Sequence, residues 1–571
     1  MKQHIQQTIH TSLQNALKQI GLDAQTIDVD SKPTIGDYSS NIALTLFSHS
    51  SKGTWQSPRA LAEVIVGRLS ENKSSDYEVS IAGPGFINFS LSEKFLQQKL
   101  EAMRRDVFTD LSKVSGKKVI VEYSSPNIAK PFTVGHLRST IIGEAIANLF
   151  EVKGYDVYRD NHLGDWGTQF GKLIYAIKTW GDIDEIASSP RPVKLLVELY
   201  VKFHEEAQKD PHLEDEGRAW FTKLEQGNQE ARGLWQQCIE WSWKEFDTIY
   251  KELGCKPFSE NGGKGYGESY FEDKMQPVID ELKEKGLLKK GNEGAQIVEF
   301  PQDELPPLMI LKKDGSTLYA TRDLATDKFR LEKYGEDTLV INEVGAEQSL
   351  YFKQLYKLEE MLGWYKKGQR IHVGHGFFRF KEGKMSTRKG NVIWLEDVLI
   401  EAVKRAHGLA KEGNSDATAH QVGIGALKWN DLKRSAHLDI VFDWDEILSM
   451  QGNCGPYIQY VAVRCKSILK KAGDQDIGLV ETYTTNEEEL AILSHLVKFS
   501  DVLDACMKEY APHYLCTYLF ELSQLFNSFY NKHQVLGQGE ASTFRLLLTS
   551  VVGSVLENGL ALLGIQTPEK M

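Results

Sequence analysis

Val119-Ile120-Val121-Glu122-Tyr123 is a near-continuous apolar run, the pattern of a strand buried on both faces of a parallel sheet. A loop carrying Pro126, Lys130 and Pro131 follows, then a helical pattern from about His136 to Val152 that Gly154 ends before Val157-Tyr158 restarts a strand. Strand, loop, helix and strand in that order predict an open α/β unit whose ligand site lies outside the strand ends, where the loop meets the helix. Thr133-Val134-Gly135-His136 occupies that place.

Working outward, Thr338-Leu339-Val340-Ile341 and Arg370-Ile371-His372-Val373 read as the second half of the same Rossmann-like parallel sheet. Residues from about 180 to 300 are charged and helical in pattern, an insertion between the two halves. On the N-terminal side, apolar residues recur at helical spacing from Ile5 to Ile20, and Gly83-Pro84-Gly85 leads into the alternating strand Phe86 to Leu91. Beyond about Asp443 the repeats are helical throughout, in Tyr457 to Leu469, Leu490 to Val502 and Arg545 to Leu563. The expected architecture is a small α+β domain over 1–112, a Rossmann-like α/β domain over 113–442 and an all-helical domain over 443–571.

The 571 residues, 41% hydrophobic and 26% charged with 16 Pro and 47 Gly, exclude a disulfide miniprotein, a fibrous repeat and extended disorder. With 79 acidic against 67 basic residues the formal charge is −12, so any nucleic-acid contact must use a local basic surface. Six cysteines without a C-x-x-C pair read as reduced thiols rather than a zinc or redox motif. No signal-type N-terminus and no run of about 20 apolar residues is found, which predicts a cytoplasmic protein with no membrane segment.

Gly135 would let an adenine ring approach the backbone where any Cβ obstructs it. His136, at a helix N-terminus, has a ring donor and the helix dipole to offer a phosphate. About 250 residues downstream, Lys384-Met385-Ser386-Thr387-Arg388-Lys389 lies between Gly383 and Gly390. A solvated charge run and a mobile clamp for a triphosphate are both compatible with that composition. His372-Val373-Gly374-His375 repeats the first motif more literally, but it lies within a strand and leaves no room for the helix such a site requires.

The two motifs, in this order and context, resemble the two signatures of class I aminoacyl-tRNA synthetases, and longer blocks narrow the resemblance to the arginyl family. These are Val121 to Phe132 with Gly135 to Gly143, Asn161 to Gly171, Leu318 to Asp323, Gly452 to Tyr460, and the terminal Leu562 to Ile565 with Pro568-Glu569. Gly36-Asp37-Tyr38 and Gly83 to Phe89 also fit, so the resemblance spans nearly the whole chain.

The resemblance implies ATP-dependent formation of arginyl-adenylate and transfer of arginine to the 3′ end of tRNA(Arg), with Mg²⁺ accompanying ATP, no protein-held metal, and a monomer as the usual form. It implies arginine contacts from Glu122, Asn127, Tyr319, Asp323 and Gln348. A guanidinium is a planar fork of donors, so Asp323 is expected to receive it while Glu122 and Asn127 hold the α-amino end. ATP and its transition state fall to Lys130, Thr133, Gly135, His136, Lys384, Met385, Ser386, Arg388 and Lys389. Three positions depart from the pattern: Thr133 replaces the first signature histidine, Thr387 a usual lysine, and Tyr351 a common histidine. The first two motivate a rival reading, a catalytically silent paralogue that binds tRNA or arginine, against which Glu122, Asp323, His136 and Lys384 are retained. A cysteinyl enzyme, the other rival, would be expected to carry a zinc-ligand set.

Overall fold

The structure, a computed structural model, describes residues 5–24, 26–31, 34–49, 55–71, 74–291, 294–301, 304–380, 393–409, 415–480 and 482–571. The chain divides into two compact units, one of residues 1–113, 410–422 and 449–571, the other of 114–409 and 423–448.

In the first unit, β1 (Tyr38–Ser40), β2 (Tyr77–Ala82) and β3 (Phe86–Leu91) form an antiparallel sheet in the order β1-β3-β2. Helix Ile5–Gln19 buries Ile5, Ile9, Leu13 and Leu17, the apolar face its spacing predicts. The helices Gly455–Ala472, Glu487–Leu496, Phe499–Lys508, His513–Lys532 and Glu540–Leu562 belong to the same unit. Tyr38 donates to Asp501 at 2.6 Å, and Thr485 donates through backbone N–H and hydroxyl to Glu93 at 2.8 and 2.7 Å. The α+β and helical parts are thereby joined through buried polar contacts. Glu540–Leu562 is long and apolar enough to cross a membrane, yet 67% of its apolar window is buried inside the protein, as a core helix would be.

In the second unit, β4 (Lys118–Glu122), β5 (Asp156–Asp160), β9 (Leu339–Gly345) and β10 (Arg370–His375) form a wholly parallel sheet in the order β10-β9-β4-β5. Between them in sequence, β6 (Leu288–Lys290), β7 (Gln296–Val298) and β8 (Leu308–Leu311) make a small antiparallel sheet. Beyond them, β11 (Phe378–Phe380) pairs in parallel with β12 (Ile440–Phe442). The helix after β4, Val134–Lys153, ends at Gly154, whose φ of 94° is left-handed and whose N–H reaches the Glu151 and Phe150 carbonyls. From β4 the chain crosses to β5 on one side, and β9 then enters on the other. The strand order therefore reverses between β4 and β9, the crevice in which such sheets bind ligands. The insertion is helical over Ile183–Ser188, Pro192–Lys209, His212–Glu225 and Gln229–Glu252, and β6 to β8 are strands the charged pattern concealed.

Candidate active site

The register sets the site. Glu122, the last residue of β4, lies beside Asp160 at the end of β5 and Asn342 within β9, so three neighbouring strands place polar groups side by side. The loop leaving β4 turns through Ser124, Ser125 and Ala129, all with positive φ (73°, 37° and 56°) although none is glycine. Such backbone costs of order 1 kcal/mol or more per residue and needs surrounding support. Here Ser139 and Ser242 supply it, accepting from the N–H groups of Ser124 and Ala129 at 2.9 and 3.0 Å. Asn127 is brought against Gly164, where an added Cβ would lie 2.2 Å from its Oδ1.

A cavity of about 270 Å³ opens at these strand ends, and Glu122, Asn127, Tyr319, Asp323 and Gln348 all line it. It lies below the roughly 300–1,000 Å³ of drug-sized sites, a size for an amino acid rather than a nucleotide. Tyr319 and Asp323 come from the first turns of helix Tyr319–Tyr334, and Gln348 from the turn that opens helix Ser349–Leu362. Tyr319 is 57% exposed, leaving a ring face open to a ligand.

The electrostatics favour a cation. In the cavity wall Arg330 pairs with Glu122, with Asp160 at 2.7 Å and with Asp327 at 3.0 Å, and behind it Arg370 pairs with Asp327 at 2.6 Å and Glu359 at 3.3 Å. Glu122 is held below the usual carboxylate range: burial is the largest single influence and opposes this, and the charges and hydrogen bond around it, Arg330 first, together outweigh burial. Burial pushes Glu359 well up while Asp327, although buried, is held down by the two guanidiniums. Asp323 differs, because it has no guanidinium partner among the described residues. Burial first, then Glu122, Asp327 and Glu268, lift its carboxyl to about 7, against a lowering by the hydroxyl of Tyr351 that donates to it.

Among the cavity-lining residues not assigned from sequence, His162, Glu268 and Tyr351 stand around Asp323. His162 follows β5, its ring nitrogens have no hydrogen-bond partner, and burial lowers its pKa, so it is a neutral imidazole. Its Nε2 stands 3.6 Å from Asp323 Oδ1, too long for a hydrogen bond. Glu268 is lifted to about 7 chiefly by burial, with Arg322 pulling it down from 3.2 Å. Pairing of β4 with β5 was the signal that could have found His162, since it places the residues after Asp160 beside those after Glu122.

Thr133, Gly135 and His136 sit together at the start of helix Val134–Lys153, with Lys130 exposed on the loop before it, and none of the four lines the cavity. Thr133 is the N-cap residue, and its backbone N–H donates to His136 Nδ1 at 3.0 Å. Burial lowers the His136 pKa to about 4, with nearby His375 adding to the effect. The ring is therefore neutral, and because Nδ1 accepts, its proton resides on Nε2 as a donor. A Cβ at Gly135 would meet nothing closer than Thr133 Oγ1 at 3.4 Å, so packing within the protein does not demand glycine there. Arg138, one helical turn on and fully buried, binds Asp431 and the carbonyls of Gly376, Ala436 and Leu438, an anchor that sequence reading missed. His372 and His375 lie in β10, and His375 Nδ1 is 2.8 Å from Glu343 Oε1. Lys384, Met385, Ser386, Thr387, Arg388 and Lys389 lie outside the described residues.

Residues 100–444 match the family described as tRNA synthetases class I (R), catalytic domain, residues 458–571 the DALR anticodon binding domain, and residues 3–91 the Arginyl tRNA synthetase N terminal domain. The arginine–tRNA ligase of Clostridium acetobutylicum is 40% identical over 555 residues, covering 95% of this chain and 96% of its own. That of Exiguobacterium sibiricum is 39% identical with complete coverage of both chains. Among solved structures, the Plasmodium falciparum arginyl-tRNA synthetase superposes with a TM-score of 0.84 at 27% identity, covering 100% of this chain and 99% of that one. The Thermus thermophilus arginyl-tRNA synthetase, at 23% identity and a TM-score of 0.81, shares the fold over 99% of this chain and 100% of its own.

Proposed function

The chain belongs to the arginyl-tRNA synthetases, and from that membership we propose that the cavity at the strand ends takes arginine while the Gly135-His136 corner and residues 384–389 take ATP. The reaction is that of an arginine–tRNA ligase. An oxygen of the arginine carboxylate attacks the α-phosphorus in line and pyrophosphate leaves, giving arginyl-adenylate. A hydroxyl of the terminal adenosine of the tRNA then attacks the arginyl carbonyl, and AMP leaves. No covalent enzyme intermediate is needed, so catalysis is positioning and charge stabilisation.

In this reading Asp323 receives the guanidinium, Tyr319 lies along the side chain, and Glu122, Asn127 and Gln348 hold the α-amino end. A lysine ammonium would leave part of a fork-shaped site unpaired, and discrimination of about 10⁴ without editing is within reach of such a site. The Nε2–H of neutral His136, Lys130 and the donors of the segment Lys384-Met385-Ser386-Thr387-Arg388-Lys389 are assigned to the triphosphate, with Thr133 orienting His136. Mg²⁺ enters with ATP as part of the substrate. The segments 1–112 and 443–571 hold the tRNA, bound tRNA is required for arginine activation, and the enzyme works as a cytoplasmic monomer.

The observation that carries the reading is the convergence of Glu122, Asn127, Tyr319, Asp323 and Gln348, from separate parts of the sequence, on one acidic cavity of amino-acid size. Pyrophosphate exchange with arginine, run with and without tRNA, tests it. Arginine-dependent exchange that requires tRNA is expected. Exchange driven equally by lysine, or none at all with tRNA present, would overturn it.

A further inference from the structure

We propose that Tyr351 is a positioning residue for arginine recognition: its hydroxyl sets the Asp323 carboxylate at the angle a guanidinium fork requires, and its ring closes that end of the cavity. The inference rests on the reading of Asp323 as the partner of the guanidinium. Tyr351 stands on helix Ser349–Leu362 and Asp323 on helix Tyr319–Tyr334, and the phenol donates across to Asp323 Oδ2. Among the described residues this is the one side-chain hydrogen bond Asp323 makes. The ring meets Tyr319 edge-on, 4.7 Å between centroids at 65°, and touches Phe352 at 5.5 Å, which fixes where the hydroxyl lies.

The charges around Asp323 explain why a neutral donor is needed. Glu122 at the end of β4, Asp327 one turn along its own helix and Glu268 from the neighbouring 3₁₀ turn all repel it, and Arg330 is committed to Glu122, Asp160 and Asp327. His162 stands too far off to hold Oδ1. Left without a donor, the carboxylate would turn away from its neighbours or stay protonated, and in either state it presents a poor face to an incoming fork. A lysine or arginine at 351 would fix it but would also neutralise it and compete with the substrate. A phenol orients the carboxylate and leaves its charge for the ligand. Donation also lowers the carboxyl pKa toward neutrality.

Tyr351→Phe keeps the ring and removes the hydroxyl. The expected result in tRNA-dependent pyrophosphate exchange is an arginine KM raised about tenfold at neutral pH, with kcat, the ATP KM and thermal stability near wild type. The pH midpoint of arginine affinity should also move upward, because a carboxylate that loses a donor is harder to ionise. An unchanged KM overturns the inference, and so does a raised KM with an unmoved midpoint, which would assign Tyr351 to packing alone. Asp323→Asn, measured alongside, separates the two levels. If it leaves arginine affinity unchanged, the reading of the cavity fails; if it loses affinity while Tyr351→Phe behaves as wild type, only the positioning role fails.

Discussion

Arginine binding should release a proton from the protein, with Asp323 as its source. In the free enzyme the carboxyl sits at about 7, lifted by burial and by the neighbouring acids. A guanidinium in the cavity supplies the counter-charge that is missing and pulls the pKa well below that value. A group whose pKa is higher free than bound loses a proton on binding, so affinity rises with pH up to about 7 and then levels. Taking binding to require the ionised form, the apparent Kd is multiplied by one plus ten raised to the pKa minus the pH. The factor is roughly 11 at pH 6 and roughly 1.1 at pH 8, a tenfold change or about 1.4 kcal/mol. Calorimetry in two buffers of different ionisation enthalpy should count about 0.9 proton released at pH 6 and about 0.1 at pH 8. Asp323→Asn is the control, because titration of arginine itself, His162 or Glu268 would persist in it. Equal proton counts in the two proteins, or a wild-type affinity flat from pH 6 to 8, would refute the assignment.

Asp323→Ala should cost about 2 to 4 kcal/mol in kcat/KM for arginine through loss of a charge-assisted pair, with the fold retained by circular dichroism; a specificity constant near wild type would contradict the pocket. Gly164→Ala places a methyl 2.2 Å from Asn127 Oδ1 and must displace that amide, so it should raise the arginine KM while leaving the ATP KM unchanged, both read by pyrophosphate exchange. Thr133→His should leave activity equal or higher, because the contact of His136 Nδ1 with the backbone N–H of residue 133 survives and only the 3.1 Å contact with the hydroxyl is lost. A more than tenfold fall would mean that Lys130 already fills the space beside the triphosphate, and the double variant with Lys130→Ala should then show non-additive kinetic losses.

The parallel sheet was legible because a strand buried on both faces must be apolar, and Val119-Ile120-Val121 of β4 and Leu339-Val340-Ile341 of β9 are written that way in the sequence, whereas β10 mixes Ile371 and Val373 with Arg370, His372 and His375. The helix after β4 was bounded by Gly154 for a reason the structure makes explicit, a left-handed backbone in which a Cβ would lie 2.5 Å from the Val114 carbonyl oxygen. Periodicity failed where bends preserve it. The apolar spacing from Leu490 to Val502 reads as one helix, yet the chain forms Glu487–Leu496 and Phe499–Lys508, because both bury the same side of the chain across the break. The five arginine-pocket positions came from resemblance, not from spacing, since Glu122 and Gln348 have no local relation that periodicity could detect. Tyr351 was noticed only as a departure, and its partner on another helix is a tertiary fact. His162 lay within the quoted Asn161 to Gly171 block without a role, because its place beside Asp323 follows only from the pairing of β4 with β5.

The paired charges in and behind the cavity wall bear on how selectivity arises there. Five carboxylates, Glu122, Asp160, Asp323, Asp327 and Glu359, face two guanidiniums, Arg330 and Arg370. Glu122, Asp160 and Asp327 are held in pairs with the fixed cations, so they contribute negative potential without freedom to re-pair. Asp323 is the carboxylate without a guanidinium of its own, and its protonation state answers to the ligand. A cation that cannot fill the fork would meet the attractive field of the paired acids yet leave acceptor sites of the desolvated Asp323 carboxylate without donors. Fixed pairs thus draw cations in, and one unfilled carboxylate decides among them.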